Sequence, residues 1–199
     1  VGAYTTRNEF MLYGATKPIK TEEVVGDLAS FSGIGPTIDG RVKPNVTAPG
    51  SMIEAAYSRY EKIRGDLSRI VRDRGLDMYY GYMEGTSMAT PAVTGIVAAW
   101  LQAYPRLTPE QVLEVIRLTA RRDSFTGEIP AGGSNRWGHG KIDAMNGLFE
   151  VLRLAELDGI SVPEGAAPRN AVFTICGQRV SHPHSPGLYI VKGKKFLIP

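Results

Sequence analysis

The chain has 199 residues, 43% of them hydrophobic and 22% charged, with a net charge of +3. That length holds one ordinary domain and a small appendage, and the composition is that of a globular protein rather than a disordered one. The basic excess is small and scattered, so nucleic acid is not an expected partner. The single cysteine, Cys176, leaves no intrachain disulfide. No stretch reaches the roughly 18 apolar residues that a membrane-spanning helix needs.

The opening residues, VGAYTTRNEF, have neither a basic start nor a long apolar run, so they do not read as a signal peptide. Val1–Ala3 reads as a strand end, and the chain is expected to begin in the middle of a domain. LASFS (28–32) alternates apolar and small residues, then breaks at the dense turn GIGPTIDG. Val42–Ala48 is a short strand candidate stopped by Pro49-Gly50. From Ala55 to Arg74 the sequence is rich in Arg, Glu and Asp. Ile63, Leu67, Ile70 and Val71 keep i, i+4, i+7, i+8 spacing, which predicts an amphipathic surface helix.

Ser87 to Ala103 is apolar on nearly every side and predicts a buried helix. Gly95 within it costs about 1 kcal/mol against Ala, which a close approach of another backbone would explain. Thr108-Pro109-Glu110-Gln111 is a strong start signal for the next helix: Thr108 caps, Pro109 takes the first position and Gln111 completes a capping box. Val112, Val115, Ile116 and Thr119 form its buried face. RWGHGKIDAMNGL (136–148) is a glycine-rich turn followed by a helix to about Leu154. After Leu157 the composition changes. SVPEGAAPRN (161–170) reads as a linker, and AVFTICGQRV and GLYIVKGKKFLIP read as strands with turns at Cys176-Gly177 and Lys192-Gly193. The division is therefore a domain over 1–157 and a linker with a small β module over 158–199.

The stretch EGTSMATP (84–91) carries the chemistry. A serine in the first turn of a helix lies beside free backbone N–H groups and a positive field. Ser87 suits an N-cap there, and it equally suits a nucleophile whose oxyanion those N–H groups would stabilise. Gly85 before it allows a substrate backbone to come close. Pro91 reads as lying in the first turn, where it costs no hydrogen bond.

The wider sequence favours the second reading. GTSMATP followed by AVTGIVAAWL resembles the nucleophile motif of the subtilisin-like serine proteases, the subtilases. The likeness extends to VGAYTTRN, to LASFSGIGPTIDGRVKPNVTAPG, to TPEQVLEVIRLTA and to RWGHGKIDAMNGL, covering roughly residues 1–150. It implies an α/β fold, the C-terminal portion of a parallel-sheet three-layer domain, followed here by a small β tail. It implies a polypeptide substrate, Ser87 as nucleophile within the motif Gly85, Thr86, Ser87 and Met88, and the Ser87 N–H as an oxyanion donor. In this family Asp, His and the oxyanion Asn precede the Ser. The resemblance therefore places them in a missing N-terminal half, and the chain alone is expected to be inactive. The truncated edge of the sheet is expected to be exposed.

Two departures stand out: Asn45 takes a place where the family often has Asp, and the segment 54–80 is longer than usual. That insertion is expected near the rim of the active site. The tail, VFTICGQRVSHPHSPGLYIVKGKKFLIP, looks like the short C-terminal β modules of secreted Bacteroidetes proteins, which implies secretion or attachment to the cell envelope.

Two other readings remain. Ser87 could work with Asp123 or Asp143 and His139, in the hydrolase order Ser, Asp, His, although no strand leads directly into it as a nucleophile elbow requires. Alternatively the domain is a non-catalytic or degenerate protease-like binding module. His182 and His184 read as surface residues of the tail. No Cys/His or acidic pattern predicts a metal, and no cofactor is implied. Calcium, which subtilase loops often hold, would belong to the missing part.

Overall fold

In the computed structural model, residues 1–60, 66–158, 172–174, 179–180, 187–191 and 194–198 are described. Two strands at the centre, β1 (Gly2–Thr5) and β4 (Thr47–Ser51), pair in parallel, with Ala3 opposite Ala48. Both are almost wholly buried. The strand predicted to stop at Pro49-Gly50 instead runs through both. Proline has no N–H to offer the ladder. Gly50 is there because its neighbours leave no room for a side chain: a Cβ would lie 2.6 Å from Ala3 Cβ and 2.9 Å from the Gly85 carbonyl.

The flanks of this pair are covered. Ala29 N–H donates to Ala3 O, and Thr5 N–H donates to Asp27 O. On the other side Thr47 N–H donates to Gly140 O, and Ile142 N–H donates to Thr47 O. LASFS is thus a capping segment for β1 rather than a strand, with Ser32 Oγ accepting from Ala3 N–H.

Helix α1 (Thr86–Ala103) lies on β1 and β4. Only Ala89, Val93 and Trp100 are buried. Thr90, Pro91, Thr94, Gly95, Ala98 and Ala99 are exposed, so the expected burial on every side is not found within these residues. Nor does a backbone approach Gly95: a Cβ placed there would have no neighbour within 4 Å.

Helix α2 (Pro109–Thr119) starts as predicted. Thr108 Oγ1 accepts from Gln111 N–H, and Gln111 Oε1 accepts from Thr108 N–H. Val115 and Ile116 are buried, while Val112 and Thr119 are half-buried. Helix α3 (Ala144–Leu157) runs past the predicted end and is capped by Asp143, whose Oδ1 accepts from the amides of Met145 and Asn146. Trp100 joins α1 to α3: its indole N–H donates to Ala144 O, and its ring fills the space above Gly147.

Among the described residues the predicted charged helix over 55–74 is replaced by antiparallel sheet, while Ile63 lies outside them. Strands β5 (Ile53–Tyr57), β6 (Leu67–Asp73) and β7 (Leu76–Met83) form a three-stranded sheet in the order β5-β7-β6. A bulge between Leu67 and Arg69 places an extra residue in β6. Leu67 and Ile70 therefore share a face, opposite Gly81 and Tyr79, at a spacing that mimics a helix. The turn is the two-residue Arg74-Gly75, both with positive φ (49° and 78°), the geometry that suits a tight hairpin. A second hairpin, β2 (Glu9–Phe10) with β3 (Ile19–Lys20), packs against this sheet. Phe10 meets Tyr82 at a ring distance of 5.0 Å, and Tyr13 N–H donates to Leu67 O.

The chain divides into two compact units, Val1–Arg153 and Leu154–Pro199. The second contains a sheet in the order β11-β10-β8-β9, from β8 (Val172–Thr174), β9 (Arg179–Val180), β10 (Gly187–Val191) and β11 (Lys194–Ile198). The linker 161–170, the two tail turns, Cys176, His182 and His184 lie outside the described residues. The architecture is mixed α/β with a parallel strand pair and three helices among the described residues.

Candidate active site

Contrary to the expectation that no strand leads into Ser87, strand β7 runs through Glu84 and Gly85 into α1, so the three-stranded sheet is covalently joined to the Ser87 loop. Gly85 is the N-cap, with φ 144° and ψ 160°, a conformation that side-chain-bearing residues rarely adopt. Its N–H donates to Gly50 O at 2.8 Å, which fixes the helix start on β4. Its carbonyl accepts from the amides of Met88 and Ala89.

Ser87 is therefore the second helical residue and not the cap. Its side chain is exposed. Among the described residues, neither its hydroxyl nor its N–H has a hydrogen-bond partner, and the Thr86 N–H is also free. Met88 is half-buried beneath the turn. Pro91 is the sixth residue of α1, beyond the first turn where it was expected. It removes the i→i−4 donor from the Ser87 carbonyl. Gly85, Thr86, Ser87 and Met88 thus present a hydroxyl and two unpaired N–H groups at the positive end of an 18-residue helix. That arrangement can hold an anion, including one that forms at the carbonyl under attack.

The alternative triad is not assembled. Asp143 caps α3. Asp123 forms an ion pair with Lys141 at 2.6 Å. His139 Nδ1 is buried with no partner, and its backbone N–H donates to Asn45 O. Burial, aided by the charges of Arg117 and Arg122, lowers the His139 pKa below its ordinary 6.5. Among the described residues no group of three or more His, Cys, Asp or Glu side chains is placed to hold a metal ion. No described helix is long and apolar enough to cross a membrane.

Two features escaped the sequence reading. The first is a cleft of about 460 Å³ between the segment after β3 and Glu84, lined by Glu22, Glu23, Val24, Asp27 and Leu28, among others. Its only sequence signal was the acidic pair Glu22-Glu23. The second is Lys141, whose side chain is 2% exposed. Its ammonium donates to Gly26 O and Asp123 Oδ2 and stands about 5 Å from the rings of Tyr4, Phe125 and Trp137. It ties β1, the cleft segment and the closing turn together.

The family model described as the subtilase family matches residues 1–146. The chain belongs to the subtilase family. Serine protease AprX of Bacillus subtilis is 36% identical over 121 residues, covering 61% of this chain and 25% of that protein. Subtilisin-like protease SBT4.12 of Arabidopsis thaliana is 36% identical over 146 residues, covering 70% and 19%. The extracellular serine protease of Serratia marcescens is 38% identical over 109 residues, covering 51% and 10%. This subtilase chain thus spans a quarter or less of the length of these three relatives. A structural likeness to the CspB protease of Clostridium perfringens covers 63% of the chain and 24% of that protein, at 24% identity and a TM-score of 0.45.

Proposed function

We propose that this subtilase chain carries the nucleophile of a serine endopeptidase, and that the nucleophile is Ser87. The observation that carries the reading is its hydroxyl, exposed and unpartnered beside free N–H groups at the start of α1. Ser87 Oγ attacks the scissile carbonyl of a polypeptide, and the carbonyl oxygen becomes an anion held by the Ser87 N–H. The leaving amine takes the proton first removed from the hydroxyl.

Removing that proton needs a base, and no described residue stands at Ser87 Oγ to act as one. The general base His, the Asp that orients it and a second oxyanion donor from Asn come from polypeptide outside residues 1–199. The same polypeptide covers the exposed flank of α1. The chain alone is then inactive. Likeness to an extracellular protease supports a secreted or envelope-associated protein.

The test is hydrolysis of an unstructured protein substrate by the full-length gene product and its Ser87→Ala variant. The expected loss of turnover is about a million-fold, as for subtilisin, a member of this family whose serine has been removed. Equal activity in the variant would overturn the assignment. Absence of activity in both, with the protein folded, would favour the binding-module reading.

A further inference from the structure

We propose that the outer edge of β6 is an interface for a second copy of this chain, which pairs antiparallel to it about a two-fold axis at Val71 and joins two three-stranded sheets into one. The interface goes beyond the protease reading and does not depend on it. β6 ends the sheet order β5-β7-β6, so one of its edges faces away from β7. The two-residue turn makes Asp73 and Leu76 a hydrogen-bonded pair. The backbone groups of Asp73 and Val71 are thereby directed toward β7, and those of Arg72 and Ile70 outward. Two bonds beyond the bulge keep this alternation: Asp66 O accepts from Tyr82 N–H, and Leu67 O, facing outward, accepts from Tyr13 N–H. Tyr13 thus covers the start of the edge. At Ile70 and Arg72 the outward backbone groups have no partner among the described residues.

Charges usually guard an exposed edge against pairing, but those of β6 are self-complementary. Outward-facing residues must meet outward-facing residues, so the two-fold registers centred on this stretch are Ile70 on Ile70, Val71 on Val71 and Arg72 on Arg72. The first sets Arg69 against Val71 and pairs no opposite charges. The last opposes two guanidinium groups, which is destabilising. The register centred on Val71 sets Arg69 against Asp73 of the second copy, and Asp73 against its Arg69. Both are non-hydrogen-bonded pairs, the class in which side chains come closest, while Ile70 and Arg72 exchange backbone bonds. Arg69, Val71 and Asp73 share one face of β6, and all three are exposed. Arg69 stacks on Tyr80 at 4.7 Å and reaches Glu54 at 3.3 Å, yet its side chain remains 59% exposed. That of Asp73 is 61% exposed, with Arg74 at 3.9 Å. Each charge keeps most of its surface for a further partner. At the axis, Val71 meets Val71 and removes exposed apolar surface from water. Because β7 continues into α1, copies joined in this way carry both Ser87 turns on one sheet.

Sedimentation of the full-length gene product across a concentration series tests the interface. A monomer–dimer equilibrium is expected, weakened by salt. Arg69→Asp alone and Asp73→Arg alone each set like charges opposite one another at both pairs and should weaken association about tenfold. Mixing the two variants restores opposite charges at both pairs, so the mixed dimer should form about as tightly as the unsubstituted one. Arg72→Pro removes an outward N–H and none that β7 uses, and it should abolish the dimer. A gene product that stays monomeric overturns the proposal. So does a dimer that neither single variant weakens, or a pair of folded variants that stays weak when mixed. Should Arg69→Asp fail to fold through loss of its contact with Glu54, Asp73→Arg and Arg72→Pro decide, and an undiminished dimer in either overturns the interface.

Discussion

Lys141 and Asp123 show how little of the stability logic lies in residue type alone. The two form one ion pair, but Lys141 is 2% exposed and Asp123 41%. Burial pushes the Asp123 carboxyl up. The Lys141 hydrogen bond, the amides of Thr126 and Phe125 and the Lys141 charge outweigh it and hold the carboxyl below the usual range. Removing the acid leaves a buried ammonium with only a carbonyl and three rings, a loss of about 3–5 kcal/mol. Removing the base leaves a carboxylate that water can reach, and a methionine fills the vacated space. Lys141→Met should therefore cost less, about 1–2 kcal/mol. Denaturant unfolding of the two variants in the full-length gene product checks the order, and the reverse order would mean that Lys141 is solvated. The sequence could not show this pairing. A lone lysine in a glycine-rich turn reads as a surface residue, and Gly26, Tyr4 and Asp123 are distant in the chain. The position of Ser87, by contrast, was legible, because a small motif at the start of an apolar helix is a local pattern.

At the scale of elements the same division holds. Helix α2 was legible to its first residue, since Thr108, Pro109 and Gln111 act within one turn. The inserted sheet was not, because its bulge gives β6 a helix-like spacing and its partners, the tyrosines of β7, lie across a turn. Contact between α1 and α3 makes a prediction against propensity. Gly147→Ala favours helix by about 1 kcal/mol, but the new methyl would sit 1.9 Å from Trp100 Cζ2. Overpacking costs about 1–3 kcal/mol or more, and the Trp100 hydrogen bond goes with it. A lowered melting temperature is expected, and a raised one would contradict the packing. The closing turn carries a pH response. Because the folded His139 resists protonation, the unfolded chain binds more protons as pH falls through 6.5. Stability is full above that value and declines below it. His139→Gln should flatten the urea midpoint between about pH 7.5 and 5.5, and an unchanged slope would contradict the burial of the imidazole.

For the whole molecule, the decisive feature is what the Ser87 hydroxyl lacks. Subtilase sequence spans residues 1–146, and the helix that presents Ser87 keeps an exposed flank of Thr90, Thr94, Gly95, Ala98 and Ala99. The sheet edge, expected from the sequence to be bare, is instead capped by residues 26–32 through hydrogen bonds to Ala3 and Thr5. The surface left exposed beside Ser87 is thus the helix flank rather than the strand edge, which no local sequence pattern could reveal. The central claim, a nucleophile whose base lies outside this chain, is tested most directly by fluorophosphonate labelling with the adduct located by mass spectrometry. Labelling at Ser87 in the full-length gene product, absent from residues 1–199 alone and from Ser87→Ala, is the predicted result. Equal labelling of residues 1–199 alone, or an adduct on any other serine, would contradict it.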